Sequence, residues 1–301
     1  MEVTLRTTGK MNWAIRRPLA LVLSLLLAGF VALSIHVGML SLGVAYPQSA
    51  PPRWSRWINA FSSVSALLIV LTLARPKIGR YSLTIRWLIA FAVLVMIQET
   101  LRGGVMNGVV TGGWTFSLIV LIEPAARALL ISLVCVVAAR WVRSAVSLVM
   151  VGIVATALLI IAQLPIAEWF APLTEHFAYL SRPDAYQFPY PAAVMIPAYL
   201  SFIEAVVGAT LLTCLIWASI PGHPIVRAAA LGLLVALIKG VVVATFLFAF
   251  FTDADPLTGM LHYSQFLLEF LALGVLVGLA WARFGDPRSG LSQVTGVQKR
   301  T

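Results

Sequence analysis

The apolar residues of this chain arrive in blocks of about 20, the length that carries an α-helix across a ~30 Å hydrocarbon core. That pattern leaves few folds open. A segment in lipid must satisfy its own backbone hydrogen bonds, so each block becomes a helix. A transmembrane β-barrel is excluded, because its strands would show as short alternating segments. The composition agrees, with 60% of the 301 residues hydrophobic and 11% charged, where a soluble domain carries roughly 25% charged residues. The expected fold class is all-α, a polytopic integral membrane bundle of about eight transmembrane helices with both ends inside. The blocks cover residues 18–44, 57–74, 82–100, 114–139, 144–164, 192–219, 225–251 and 261–282.

The net charge of +10 is explained by topology, without a nucleic-acid partner. Of the 21 Lys and Arg, fifteen fall on one side of these spans, Arg16, Arg17, Arg75, Lys77, Arg80, Arg140, Arg143 and Arg283 among them. The other side holds Arg53, Arg56 and Arg182, and Arg102, Arg127 and Lys239 lie within spans or at their edges. This is the positive-inside asymmetry of a bacterial inner-membrane protein. Three regions follow: a basic cytoplasmic leader at 1–17, a transmembrane domain at 18–283 and a polar cytoplasmic tail at 284–301. Arg16-Arg17 followed by PLALVLSLLLAGF resembles the start of a signal peptide. The apolar run, however, far exceeds the ~7–15 residues of such a segment, so it reads as an uncleaved first span. His36 lies inside that span, where a lone histidine most often faces a polar neighbour. Within the domain, 166–191 is rich in aromatics and proline, and its apolar residues recur at helical spacing. It is expected to form an amphipathic helix on the outer surface, separate from the fifth span.

Charged residues within such spans are costly, at least ~2.5–3.5 kcal/mol each near the bilayer centre, and are rarely accidental. The stretch from Ile97 to Leu130 carries Glu99, Arg102, Glu123 and Arg127, with a ladder of Gly104, Gly108 and Gly112 between the two pairs. Glu204, Lys239 and Glu269 lie in the later spans. Glu123 and Arg127 are four apart on one helical face in the favourable acid-first order. Pro124 between them lacks an N–H and frees the carbonyl four residues earlier. Four acids face three bases, so one carboxylate is left over if every base pairs. In low dielectric such a group favours its neutral form, the profile of a proton-coupling site. Glu204, with no base in its own helix, is the first choice.

Small residues at four-residue spacing let helix backbones approach closely. Ala228, Gly232, Ala236, Gly240 and Ala244 form such a ridge over the seventh span, and Gly274 and Gly278 form another on the eighth. Lys239 leaves the helix beside the first ridge, which points it into the bundle.

Catalytic motifs are not found intact. No aspartate lies in a span, and zinc-pair, GxSG and phosphate-loop motifs are missing. Cys135 and Cys214 read as small buried hydrophobes without metal-ligand spacing. No metal and no cofactor is expected. Glu123 to Arg127, and more loosely Glu99 to Arg102, resemble half of the EExxxR signature of CAAX-type intramembrane glutamate proteases. Ile122 stands where the first glutamate of that signature belongs, and His262 alone is available for the later histidines. The resemblance covers only the motif and assigns no family.

The expected function is therefore that of a small permease, proton-coupled through its spare carboxylate, moving a small polar or amphipathic solute. The alternative is a non-catalytic subunit or assembly factor of a larger membrane complex. An intramembrane enzyme acting on lipid or peptide ranks last. The expected partners are the lipid bilayer and either a second copy or a membrane-complex partner.

Overall fold

A computed structural model of the chain describes residues 17–181 and 188–285. The leader at 1–17, apart from Arg17, and the tail at 284–301, apart from Phe284 and Gly285, lie outside the described residues, as does part of the segment 166–191. The described residues form helices, with no strand beyond an isolated bridge between Ser49 and Thr252. In chain order the α-helices are α1 (Pro18–Ser41), α2 (Arg53–Ile78), α3 (Leu83–Gln98), α4 (Thr100–Thr111), α5 (Trp114–Ala138) and α6 (Ala145–His176). They continue with α7 (Ala192–Ser201), α8 (Ile203–Ile216), α9 (Pro224–Lys239), α10 (Val241–Leu247) and α11 (Pro256–Ala280).

Six helical segments are each long and apolar enough to cross a membrane, and two further pairs, α3 with α4 and α9 with α10, reach that length only together. The first pair bends by 48° and the second by 74°. The count is thus six, or up to eight if each bent pair is one span, and the chain is a multi-pass membrane protein. Its outward-facing Leu19, Val146 and Ile161 are 72%, 74% and 67% exposed and suit contact with lipid tails.

Local chemistry explains where the helices start. Pro18, Pro224 and Pro256 occupy first-turn positions, where a missing N–H is harmless. Ser82 caps α3 by accepting from Ile85 N–H, and Ser144 with Ser147 closes a reciprocal capping box on α6. Asp255 caps α11 by accepting from Leu257 and Thr258 N–H at 3.0 and 3.1 Å.

The structure departs from two expectations. The seventh span is not continuous, because Gly240 adopts φ +83 and ends α9 there, with Ala244 falling on α10. No boundary separates the fifth span from an outer amphipathic helix. α6 runs 32 residues through Pro165 and Pro172, about 48 Å at 1.5 Å per residue. The proline ring interrupts one ladder bond without stopping a helix this apolar.

The core lies around α11, which packs between α1 and α9 and also meets α8 and α10. A Cβ on Gly274 would stand 2.6 Å from the Gly232 Cα, and one on Gly278 would stand 2.9 Å from the Ala228 Cα. The two backbones therefore touch, and Leu231, Phe270, Leu273 and Val277 close completely around the contact. Ala236 is fully buried one turn further along α9. In the glycine ladder, Gly108 is covered by the Trp114 ring, Gly104 faces Ser117 and Leu121, and Gly112 takes φ +69 to turn the chain from α4 into α5.

Helix ends are tied at both faces. At one, Arg75 donates to the carbonyls of Ala139 and Val142, Lys77 donates to Cys214 O, and Arg17 N–H reaches Phe284 O at 3.1 Å. At the other, Ala50 N–H reaches Phe251 O at 3.1 Å and Ser49 Oγ meets the Tyr263 hydroxyl.

A candidate polar site at two helix breaks

Each bent pair is broken at a residue in the left-handed region. At the first break this is Glu99, with φ +56, and it is the only described non-glycine residue at positive φ. Such a conformation costs an L-residue roughly 1–2 kcal/mol and persists only where its surroundings impose it. At the second break it is Gly240, which pays no such penalty and whose missing Cβ leaves room for Asn59 of α2.

A break frees carbonyls on the helix that ends and N–H groups on the helix that starts. Here the two breaks satisfy one another. Lys239 Nζ, at the end of α9, donates to Gln98 O at the end of α3 (3.0 Å) and to Glu99 Oε2 (2.6 Å). Gln98 Nε2 donates back to Ile238 O of α9, and Ser63 of α2 donates to Leu237 O at 3.0 Å. Positive charge thus meets the carbonyl end of α3, and a carboxylate meets the amide end of α4. That carboxylate is Glu204 of α8, which accepts from Leu101 N–H at 3.0 Å and from Arg102 N–H. Four residues on, Gly208 lies against Met96 and Ile97, where a Cβ would stand 2.7 Å from the Met96 Cβ. This close approach brings Glu204 within reach of the α4 amides.

Glu99 holds two cations at once. Its Oε1 accepts from the Arg102 guanidinium while Oε2 takes Lys239. The three side chains are 11%, 18% and 17% exposed. Phe202 lies under Arg102 at 5.0 Å and Phe270 under Lys239 at 4.6 Å, so each cation also faces an aromatic ring. The structure therefore brings together Glu99 at the α3–α4 break, Arg102 of α4, Glu204 of α8 and Lys239 of α9.

Because Glu99 holds two bases, two of the four span carboxylates have no Lys or Arg within ion-pair range among the described residues. One is Glu204, whose partners are backbone amides of another helix. The other is Glu269 on α11, 2% exposed, with Oε2 3.6 Å from His36 Nδ1 of α1. That separation is beyond hydrogen-bond range. His36 Nδ1 is buried without a hydrogen-bond partner, and so is Oε1 of Gln265, one turn before Glu269. His36 stacks on Phe266 at 4.8 Å and meets the edge of Tyr46 at 6.4 Å. His36 was expected only to face some polar neighbour. Its partner is 233 positions away in sequence, a distance no local pattern bridges.

Glu123 and Arg127 stand apart from this cluster. They bond each other within α5 and are 30% and 40% exposed. Pro124 and Arg127 line a cavity of about 610 Å³ together with Gln98, Glu99, Asn107, Ser117 and Gln163. Val120, whose carbonyl Pro124 deprives of its helical partner, lines it as well. A second cavity of about 610 Å³ is walled by Gly43, Tyr46, Phe188 and Tyr190. Burial, then the phenol of Tyr190, pushes the Tyr46 phenol above its ordinary range, so it stays neutral.

His262 lies in the second turn of α11, seven positions before Glu269, and no group of metal-ligating side chains forms among the described residues. Compared with known proteins, the chain matches no family model, no curated protein and no solved structure.

Proposed function

We propose that the chain is an eight-span permease of the bacterial inner membrane, with both ends cytoplasmic, that moves a small polar or amphipathic solute. One observation carries the reading: two broken helices brace each other through Lys239 and Glu99, and a cavity of about 610 Å³ reaches the same Gln98–Glu99 segment. Broken backbone at membrane depth is tolerated where it is buried in protein or lines a water-filled path, and helix-break ends are where transporters hold charged groups. Counting each bent pair as one span gives an even number, in keeping with Arg17 and Phe284 meeting at one end. The basic residues Arg75, Lys77 and Arg140 also gather near that end, which supports its being cytoplasmic.

The test is solvent access. In a Cys135→Ala/Cys214→Ser background, single cysteines replace Asn107 and Gln163 in the cavity and Met150 and Leu158 on the exposed face of α6. A membrane-impermeant maleimide is expected to label the first two in intact vesicles and to spare the last two. If the cavity positions are as silent as Met150 and Leu158, the permease reading fails.

The half-exposed Glu123–Arg127 pair on α5 favours a second reading, in which this face meets a partner helix of a larger membrane complex. Native mass after gentle detergent extraction separates the two. A stoichiometric partner supports the subunit reading, and a monomer or homodimer supports the permease.

A further inference from the structure

We infer that Glu269 and His36 form a proton-binding site, loaded through the cavity beside Tyr46, whose occupancy determines whether Arg102 and Lys239 remain on Glu99. This rests on the permease reading and supplies its coupling ion. The site is defined by polar atoms that lack partners. His36 Nδ1 and Gln265 Oε1 are buried without one, and the Glu269 carboxylate faces the first at 3.6 Å. On the far side, Arg102 Nε is a buried donor with no acceptor.

One proton shared by the pair satisfies His36. Either the Glu269 hydroxyl donates to Nδ1, or the imidazolium Nδ1–H donates to the carboxylate; the proton count is the same, and the atoms need to close by less than about 1 Å. When that proton leaves to outer water, a buried carboxylate remains beside a neutral imidazole, an arrangement that draws in the nearest cation. The charged and titratable groups that interact with Glu269 are few. His36 comes from α1, Tyr46 from the α1–α2 connection, Glu99 and Arg102 from the first break and Lys239 from α9, while Glu204 of α8 is held on the α4 amides and α10 presents no titratable side chain. Arg102 and Lys239 are the cations among them, and Lys239 already lies on the ring of Phe270, next to Glu269.

Moving either cation from Glu99 to Glu269 alters the brace between the breaks. If Lys239 moves, Gln98 O loses its donor and the wall of the α3–α4–α5 cavity changes with it. Proton loss on the outer side is thereby linked to the shape of a cavity on the other side of the charge cluster.

Two measurements test this on the full-length protein. Infrared difference spectra between about pH 5 and about pH 9, a range that brackets carboxyl and imidazole titration in proteins, report protonated carboxyl groups through their C=O band. The titrating band is expected to vanish in Glu269→Gln, to move in midpoint in His36→Gln and to persist in Glu204→Gln. A band that survives intact in Glu269→Gln overturns the assignment, and so does a midpoint that His36→Gln leaves unmoved. The labelling rate of Asn107→Cys, divided at each pH by the rate of the same maleimide with free cysteine to remove thiol ionisation, is expected to change by on the order of tenfold over the same range, and this ratio is expected to become flat in Glu269→Gln. A ratio that stays constant at every pH overturns the coupling and leaves the permease reading standing. No labelling at any pH overturns the permease reading, and the infrared band then still decides whether Glu269 binds the proton.

Discussion

Two charge pairs in this molecule look alike in sequence and differ in kind. Glu123 and Arg127 are neighbours on one turn of α5, each 30% or more exposed, and no other element is needed to bring them together. Glu99 and Lys239 come from separate helices, are 11% and 17% exposed, and each sits where its helix stops. The first pair decorates a helix, whereas the second replaces hydrogen bonds that two helices have lost. A charge that completes a backbone cannot be removed without exposing that backbone, and a charge that pairs along a helix face can.

The largest effect is expected from breaking the second pair. Lys239→Ala leaves Gln98 O without its donor and Glu99 with Arg102 alone, a loss of about 3–5 kcal/mol, read from unfolding of the detergent-solubilised protein. Next comes Glu204→Ala, which uncaps the N-terminus of α4 and leaves the amides of Leu101 and Arg102 unmatched. About 1.5–3 kcal/mol is expected for hydrogen bonds to a charged group, with faster hydrogen exchange confined to the first turn of α4. Arg127→Gln sharpens the contrast from the other side. Its stability change is expected to stay below ~1 kcal/mol, while maleimide labelling of a neighbouring cavity cysteine changes measurably, because Arg127 lines that wall.

The smallest effect lies outside both pairs. The hydroxyl and N–H of Thr258, with the N–H of Leu257, hold the Asp255 carboxyl below its ordinary range. Its folded-state value is depressed, so its contribution is present above the unfolded value and is lost as pH falls through the depressed one. Acidification below the ordinary carboxyl range is expected to fray the first turn of α11 in hydrogen exchange, at a pH well under the one at which Glu269 and His36 take their proton.

How far these features could be read in advance depended on the range over which each is encoded. Apolar blocks and the Ala228–Gly232–Ala236 and Gly274–Gly278 spacings are local, and the helices and their periodicity follow from neighbouring residues alone. The breaks are less visible. Gly240 continues a small-residue spacing and so reads as packing, while the structure uses its φ of +83 to end α9. Glu99 gives no sign that it will take a left-handed conformation, because what imposes it is Arg102 nearby and Lys239 of a helix 140 positions later. Glu204 has no base in its own helix and so reads as the spare acid. Its partners are amides of another helix, which carry no sequence signal, and Glu269 joins it as a second carboxylate without a Lys or Arg.

The place of α11 in the bundle has a consequence for how the protein is made. The faces of α1 and α9 that carry His36, Ala228 and Gly232 precede residues 256–280 in the chain, and α11 fills the space between them. Until α11 is in place Lys239 has no Phe270 beneath it and His36 has no Glu269 across from it. Assembly of the polar interior is therefore a late event in synthesis. A nascent chain that lacks α11 leaves the groove between α1 and α9 open, with His36 and Lys239 at its polar end.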